Sequence, residues 1–307
     1  MILTPPKLLH SVVHENSWMW THATCPTPIK LGDILRVYYQ TRDKDNRGRV
    51  AYVDLIHDGE LTLVKKSNHV VFDIGRPGCF DDNGVMLTSV ICLGDGRLAG
   101  YYVGFELSKT VRYRLLSGAC ISSDGGETFN RLSEVPLLER IDNETHTRGG
   151  PFVLKSGLGY SMYYVSGNSW RNVNGKSMPI YDIRSLKSTD PFKWYGEGQQ
   201  VLSPAGPNEY GLGRPYVLKL RNGFGMHVSK RLSDPMRYRA AYAFSKNNDT
   251  WERQDSNVSE INKHFNFDQS IEYVSEIFFE NNKYYFYNTH DFGRTGIFYQ
   301  RVVNDNS

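Results

Sequence analysis

The sequence predicts an all-β fold: one five-bladed β-propeller of four-stranded antiparallel blades, a single domain over residues 1–307. Three observations predict it: a strand–turn–strand unit that recurs five times, the near-constant spacing of those units, and the lack of any sustained helical periodicity. The units begin at Cys25 (CPTPIKLGDILRVYYQTRD), Leu87 (LTSVICLGDGRLAGYYVGFE), Gly150 (GPFVLKSGLGYSMYYVSGNSW), Arg214 (RPYVLKLRNGFGMHVSKR) and Val274 (VSEIFFENNKYYFYNTHDFG). With Pro26, Thr88, Pro151, Pro215 and Ser275 as equivalent positions, successive intervals are 62, 63, 64 and 60 residues. A unit of that length holds four strands and their loops, and repeating such sheets around an axis leaves only short edges exposed. Blades are expected to start near residues 22, 82, 144, 209 and 270.

Each unit opens with a short apolar strand and a polar turn (KLGD, LGDG, KSGLG, KLRNG, ENNK) whose Gly, Asn and Asp suit tight hairpins. The second strands are rich in Tyr, Val and Met, as paired strands are. In three units a further strand and turn follow, at residues 119–132, 183–196 and 242–255; the first unit has only a degraded copy near 55–63. The best copy, residues 122–129 (SSDGGETF), resembles an Asp-box, a folding element whose Ser and Asp satisfy turn N–H groups while the aromatic packs inward. Residues 256–264 read as a short helical turn. The last strand, residues 296–303, has no long continuation, so ring closure should borrow a strand from the N-terminus, within residues 8–14.

Bulk properties narrow the function classes. The net charge is +3 with Lys and Arg scattered, which gives no basic stripe for nucleic acid; the run 109–114 reads as a solvated face. No apolar run of eighteen residues predicts membrane insertion. The four cysteines form no CxxC pair, and the first residues lack a signal-peptide core, so a cytoplasmic protein with reduced thiols is expected. The histidines show no metal-ligand spacing, and no metal or other cofactor is expected.

In a propeller the first strand of each blade lines the axis. Residues just before each first strand and just after each second strand therefore share one mouth. The first set comprises His22, Thr24, Asp81, Asp82, Asn83, Glu144, His146, Arg148, Glu209, Tyr210, Arg214, Glu272 and Tyr273. The second comprises Arg42, Asp43, Glu106, Trp170, Arg231, Asn288 and His290. Carboxylates delivered by four blades suit glycosidic chemistry, where one acid protonates the leaving oxygen and a second carboxylate activates water or attacks. Arginines among them lower carboxyl pKa values or bind an anionic sugar or phosphate.

With these residues in view, the chain resembles the five-bladed propeller superfamily of glycoside hydrolase families 43, 32, 62 and 130, and most closely the hydrolase-like propellers encoded with bacterial surface-polysaccharide genes. GCFDDNGVMLTSV, GYYVGF, GACISSDGGETFNR, RGGPFVL, MYYVSGNSW, EYGLGRPYVL and IEYVSEIFF carry the likeness, which covers about residues 23–300. The resemblance implies a carbohydrate-active protein that cleaves or transfers a glycosidic bond. It makes Asp82 the carboxylate that tunes a pKa and holds the sugar, and Glu144 the general acid. Glu209 joins them as a catalytic candidate without a fixed role in the family. His22, Arg42, Asp43, Arg148, Trp170, Tyr210, Arg214, Arg231, Glu272 and His290 are the expected substrate-binding residues. The first-blade general base is missing, since THATCPTP carries no carboxylate; His22 stands near that position. A phosphorylase reading uses inorganic phosphate, clamped by Arg42, Arg148, Arg214 and Arg231. The alternatives are a transferase of polysaccharide biosynthesis taking an activated sugar, and a glycan-binding propeller without catalysis.

Overall fold

The computed structural model describes residues 1–266, 269–289 and 291–304. Two short strands, β1 (Ile2–Leu3) and β2 (Lys7–His10), open the chain. Five antiparallel meanders follow among the described residues. The first contains β3 (Thr21–Leu31), β4 (Ile34–Arg42), β5 (Gly48–Asp58) and β6 (Glu60–Lys66). The second contains β7 (Val85–Cys92), β8 (Leu98–Leu107), β9 (Tyr113–Ser122) and β10 (Asn130–Arg131). The third contains β11 (Thr147–Ser156), β12 (Gly159–Val173), β13 (Lys176–Ser188) and β14 (Gln199–Leu202). The fourth contains β15 (Glu209–Leu220), β16 (Gly223–Ser233), β17 (Met236–Ser245) and β18 (Glu252–Arg253).

The fifth has three strands of its own, β19 (Ile271–Phe279), β20 (Asn282–Thr289) and β21 (Ile297–Asn304). Both N-terminal strands pair antiparallel with β21, Lys7 opposite Tyr299 and Leu3 opposite Val302. The N-terminus thus supplies the outer strand, from residues slightly earlier than 8–14. A 3₁₀ turn (Asp255–Val258) and the helix α1 (Ser259–Lys263) occupy the segment expected to be helical. Brief parallel bridges, Thr147 with Leu115 and Tyr181 with Gly211, tie neighbouring meanders together at their edges.

The paired aromatics of the second strands explain how the meanders pack. Successive strand residues point to opposite faces, so Tyr38 and Tyr39, Tyr101 and Tyr102, and Tyr163 and Tyr164 each serve two interfaces. Tyr38 and Tyr102 lie in an apolar layer between the first and second meanders, with Phe72, Phe80 and Phe129. Tyr101 and Tyr164 lie between the second and third, with Trp194. Tyr163 packs between the third and fourth against Tyr181 and Tyr216. Tyr285 and Tyr287 fill the layer between the fourth and fifth with Val258 and Ile261. Tyr39 closes the circle between the first and fifth, with Tyr284 and Phe286. Every meander is buried on both faces, and the apolar layers return to where they began.

The first strands carry a shared irregularity. A β-bulge interrupts the pairing of each: between Thr24 and Thr27, Leu87 and Ser89, Gly149 and Phe152, Gly213 and Tyr216, and Glu272 and Ser275. Cys25, Gly150, Arg214 and Tyr273 adopt positive φ there. A bulge breaks the ladder locally, which lets Pro26, Pro151 and Pro215 sit inside strands despite lacking an N–H. It also frees carbonyls for side chains of neighbouring meanders. Thr27 donates to the Leu87 carbonyl (3.0 Å), Thr88 to that of Pro151 (2.6 Å) and Ser275 to that of Pro26 (3.1 Å). The equivalent positions of the repeat are thus the places where first strands are stitched together.

Candidate functional site

At the edge where first strands begin, all five meanders contribute to one cleft of about 490 Å³. The first gives Thr24, Gln40 and Arg42. The second gives Asn83, Phe105, Arg112 and Tyr113, and the third Met178. The fourth gives Tyr210, Arg231, Arg237 and Tyr238, and the segment around the fifth gives Ser270, Tyr273 and Phe292. A larger but shallower hollow of about 660 Å³ lies at the opposite edge, around the β11–β12 turn, and gathers turn residues such as Ser156, Gly159 and Asn247. The cleft is the better candidate, because convergent charged and aromatic groups there share a partly enclosed space.

Arg231 organises one wall. It is only 5% exposed, and its guanidinium lies 4.4 Å from the Tyr210 ring centre and 4.8 Å from that of Tyr181. It donates to the Pro179 carbonyl (3.0 Å), while its Nε has no acceptor among the described residues. Arg42 donates to Asn46 (2.9 Å), and burial draws its pKa below the ordinary arginine value. Beneath it, His22 is buried with Nδ1 2.8 Å from the Thr21 hydroxyl. Burial, together with Arg42 and Arg294, pushes the His22 pKa down to about 4, so its ring is neutral at pH 7.

Of the residues expected at the mouth, Thr24, Arg42, Asn83, Tyr210, Arg231 and Tyr273 line the cleft. The expected carboxylates do not. Asp82 is half-buried and accepts the Gly78 N–H (2.8 Å) in a shallow depression beside the cleft; its neighbour Asp81 is buried against Tyr102 and Arg131. Glu144 has no exposed surface. It accepts from the Tyr164 hydroxyl (2.9 Å) and the Gly198 N–H (3.3 Å), with Arg148 at 3.3 Å. Glu209 accepts the Ala205 N–H (2.9 Å) and both arms of Arg253.

Several binding candidates serve the fold instead. Asp43 holds the turn after β4 by accepting the N–H groups of Asp45 and Arg47 and the guanidiniums of Arg47 and Arg49. Burial opposes its ionisation, yet those donors hold its pKa below the usual carboxylate value. Arg148 is taken up by Glu144 and by the carbonyls of Glu139 and Gly196. Arg214 donates to Pro26, Tyr273 and Val274 carbonyls. Trp170 sits on the half-exposed far stretch of β12 with its ring edge-on to His146, apart from the cleft lining. Asn288 ties β20 to the Cys25 N–H and the Ala23 carbonyl. His290 lies outside the described residues.

Glu272 is different. It is 1% exposed, and neither carboxyl oxygen has a hydrogen-bond partner among the described residues. Burial, aided by Asp291, pushes its pKa up to about 8. The carboxyl therefore keeps its proton at pH 7, behind the wall that Ser270 and Tyr273 present to the cleft. Among the described residues no three His, Cys, Asp or Glu side chains converge to hold a metal ion.

The strongest omission concerns the third strands. Arg112, Tyr113, Arg237 and Tyr238 stand at the starts of β9 and β17, and all line the cleft. A third strand of a meander starts where the second ends, so their position was open to the same argument as Arg42 and Arg231. Residues 109–114 are exposed or half-exposed, as expected of a solvated face, and Arg112 and Tyr113 reach the cleft from that face.

No family model matches the chain. The uncharacterized protein Rv1502 of Mycobacterium tuberculosis (strain ATCC 25618 / H37Rv) is 29% identical over 287 residues, covering 92% of this chain and 93% of that protein. Among solved structures, a glycoside hydrolase superposes with a TM-score of 0.70 at 15% identity, covering 98% of this chain and 93% of that one. A thermostable family-43 glycoside hydrolase superposes with a TM-score of 0.66 at 14% identity, covering 97% and 94%. At such identities the likeness is one of architecture: the chain has the all-β propeller fold of the glycoside hydrolases.

Proposed function

We propose that the five meanders are the blades of a five-bladed propeller, and that this is a carbohydrate-active protein taking a saccharide in the cleft at its mouth. The cyclic order of the apolar layers supports the blade count. One observation carries the functional reading: a cleft of about 490 Å³, fed by every meander, whose walls hold Phe105, Tyr113, Tyr210, Tyr238, Tyr273 and Phe292. Aromatic faces suit the C–H faces of sugar rings, and the polar groups between them fix hydroxyls.

The lining also bears on reaction class. Hydrolysis by two carboxylates needs one on each side of the scissile bond. Among the described residues that line the cleft there is no Asp or Glu. Asp82, Glu144 and Glu209 are bound elsewhere, and Glu272 lies behind the wall. Recognition of a saccharide, with any bond-breaking reliant on a second reactant that enters with the substrate, fits this lining better than direct attack by water. The phosphate clamp expected from four arginines keeps two of them, Arg42 and Arg231.

The test is a thermal-shift and product screen of the whole chain against oligosaccharides. A saccharide present at a hundredfold excess over its Kd should stabilise the protein by about 2.7 kcal/mol. Phe292, half exposed and edge-on to Tyr238, forms the rim. Phe292→Ala should weaken saccharide binding roughly three- to tenfold, the worth of one aromatic contact, without lowering the melting temperature. Failure of every saccharide class to bind, in the screen and by calorimetry, would remove the reading.

A further inference from the structure

Resting on the reading that the cleft takes a saccharide, we infer that its substrate carries an anionic group, a carboxylate or a phosphate, which Arg42, Arg112 and Arg231 clamp. Arg42, Arg112, Arg231 and Arg237 all line the cleft, and no Asp or Glu among the described residues lines it with them. Arg231 is buried, Arg42 half-buried and Arg112 exposed, and the way this chain treats its other buried and half-buried guanidiniums gives Arg231 and Arg42 their meaning. Arg36 is paired with Asp54 and Glu127, Arg131 with Asp81, Arg148 with Glu144, and Arg253 with Glu209 and Asp255. Arg214 and Arg239 instead each satisfy three backbone carbonyls.

Arg42, Arg112 and Arg231 have no carboxylate partner among the described residues. Arg231 is the most telling. A guanidinium that is 95% out of water, held by one carbonyl bond and tyrosine faces, keeps an Nε donor with no acceptor among the described residues, and such an idle buried donor carries a desolvation penalty. An anion entering the cleft relieves that penalty, which turns a structural cost into binding energy. The Tyr181, Tyr210 and Tyr238 rings around it, at 4.8, 4.4 and 5.9 Å, hold the planar fork in place before the ligand arrives. A fork so held suits the paired oxygens of a carboxylate or phosphate better than a single hydroxyl.

The buried Glu272 carboxyl behind the cleft wall does not supply that charge. Glu272 keeps its proton at pH 7, because burial raises its pKa to about 8. Among the described residues the cleft lining therefore meets its ligand with arginines, no carboxylate and an aromatic floor. An anionic sugar satisfies both features at once, with its ring on the aromatics and its charged group on the arginines.

The experiment is calorimetric titration of the whole chain with matched pairs. A galacturonate oligomer is set against the galactose oligomer of equal length, glucose 1-phosphate and a nucleotide sugar against glucose, and inorganic phosphate is titrated alone. At least one anionic member should bind about tenfold tighter than its neutral partner, the worth of one charge-assisted hydrogen bond. That preference should shrink as salt rises from 50 to 500 mM, as screening requires. The carboxylate and phosphate arms identify which anion is recognised. Arg231→Met should abolish the preference, and Arg112→Gln, at an exposed position that tolerates substitution, should reduce it in a protein of unchanged melting temperature.

Equal binding of neutral and anionic partners, or an intact preference in both variants, overturns the inference while leaving the saccharide cleft standing. Binding of no saccharide at all overturns both. Binding of inorganic phosphate with no anionic sugar binding overturns the sugar-acid assignment.

Discussion

Glu272→Gln should make the protein more stable at pH 8 and change its stability little at pH 4.5. The folded-state pKa of Glu272 is raised to about 8 from an ordinary value of 4.5, first by burial and then by Asp291. Between those pH values the unfolded chain has released this proton and the folded chain still holds it. The unfolded state therefore binds fewer protons, and stability falls as pH rises from about 4.5 to about 8, then levels off. A shift of this size costs wild type roughly 3 kcal/mol at pH 7 and roughly 5 above pH 9. Glutamine fills the same space without ionising, so its stability curve lacks that slope. His22 and His10, both pushed down to about 4 mainly by burial, titrate with the opposite sign, but they do so in both proteins and cancel in the difference. Urea unfolding at pH 5, 7 and 8.5 checks this; parallel curves for the two proteins would show that Glu272 ionises freely. The same protonation keeps Glu272 from adding a negative charge behind the cleft arginines, so its consequence reaches beyond stability.

Much of the architecture could be read from the sequence because it is repetitive. A four-stranded sheet buried on both faces needs aromatics at adjacent positions of its second strand, and doublets such as Tyr38–Tyr39 and Tyr163–Tyr164 recur at a fixed interval for that reason. The anchor prolines and hydroxyls recur because each first strand is bulged and stitched to its neighbour at the same point.

The site was legible only by region. Position near a first-strand start brings a residue to the correct edge, but strand alternation decides which way it faces. Glu209 and Tyr210 are neighbours, yet Tyr210 lines the cleft while Glu209 meets Arg253. Asp82 and Asn83 divide in the same way: Asn83 reaches the cleft and Asp82 caps the Gly78 N–H beside it. Bulges add a residue and reverse the alternation; the recurring anchors mark where each one falls, but not which flanking side chain then faces the cleft. Partner competition decided the rest. Glu144 could have served an active site, but Arg148, one helical-turn distance along the chain, folds back onto it from within the same sheet.

Arg214 is the residue whose loss should damage the fold most. Its side chain leaves the first strand of the fourth meander and donates to the Tyr273 and Val274 carbonyls in the fifth (both 3.2 Å), then to the Pro26 carbonyl (2.9 Å) and Thr27 hydroxyl (3.0 Å) in the first. One guanidinium thus joins three bulged strands across the axis, where water is excluded and the bulges leave carbonyls without ladder partners. Arg214→Met keeps the apolar bulk and removes every donor. Ser275 still serves the Pro26 carbonyl, but those of Tyr273 and Val274 lose this donor in the interior. The expected loss is roughly 3–5 kcal/mol, as for other buried charged groups whose acceptors are stranded. Arg214→Lys should recover only part of it, because an ammonium has no planar fork to span strands at these separations. Urea unfolding measures both. Because Arg214 lies outside the cleft lining, the folded fraction of either variant should keep the wild-type ratio of anionic to neutral sugar affinity. A loss under 1 kcal/mol in Arg214→Met would mean that the apolar layers alone close the ring.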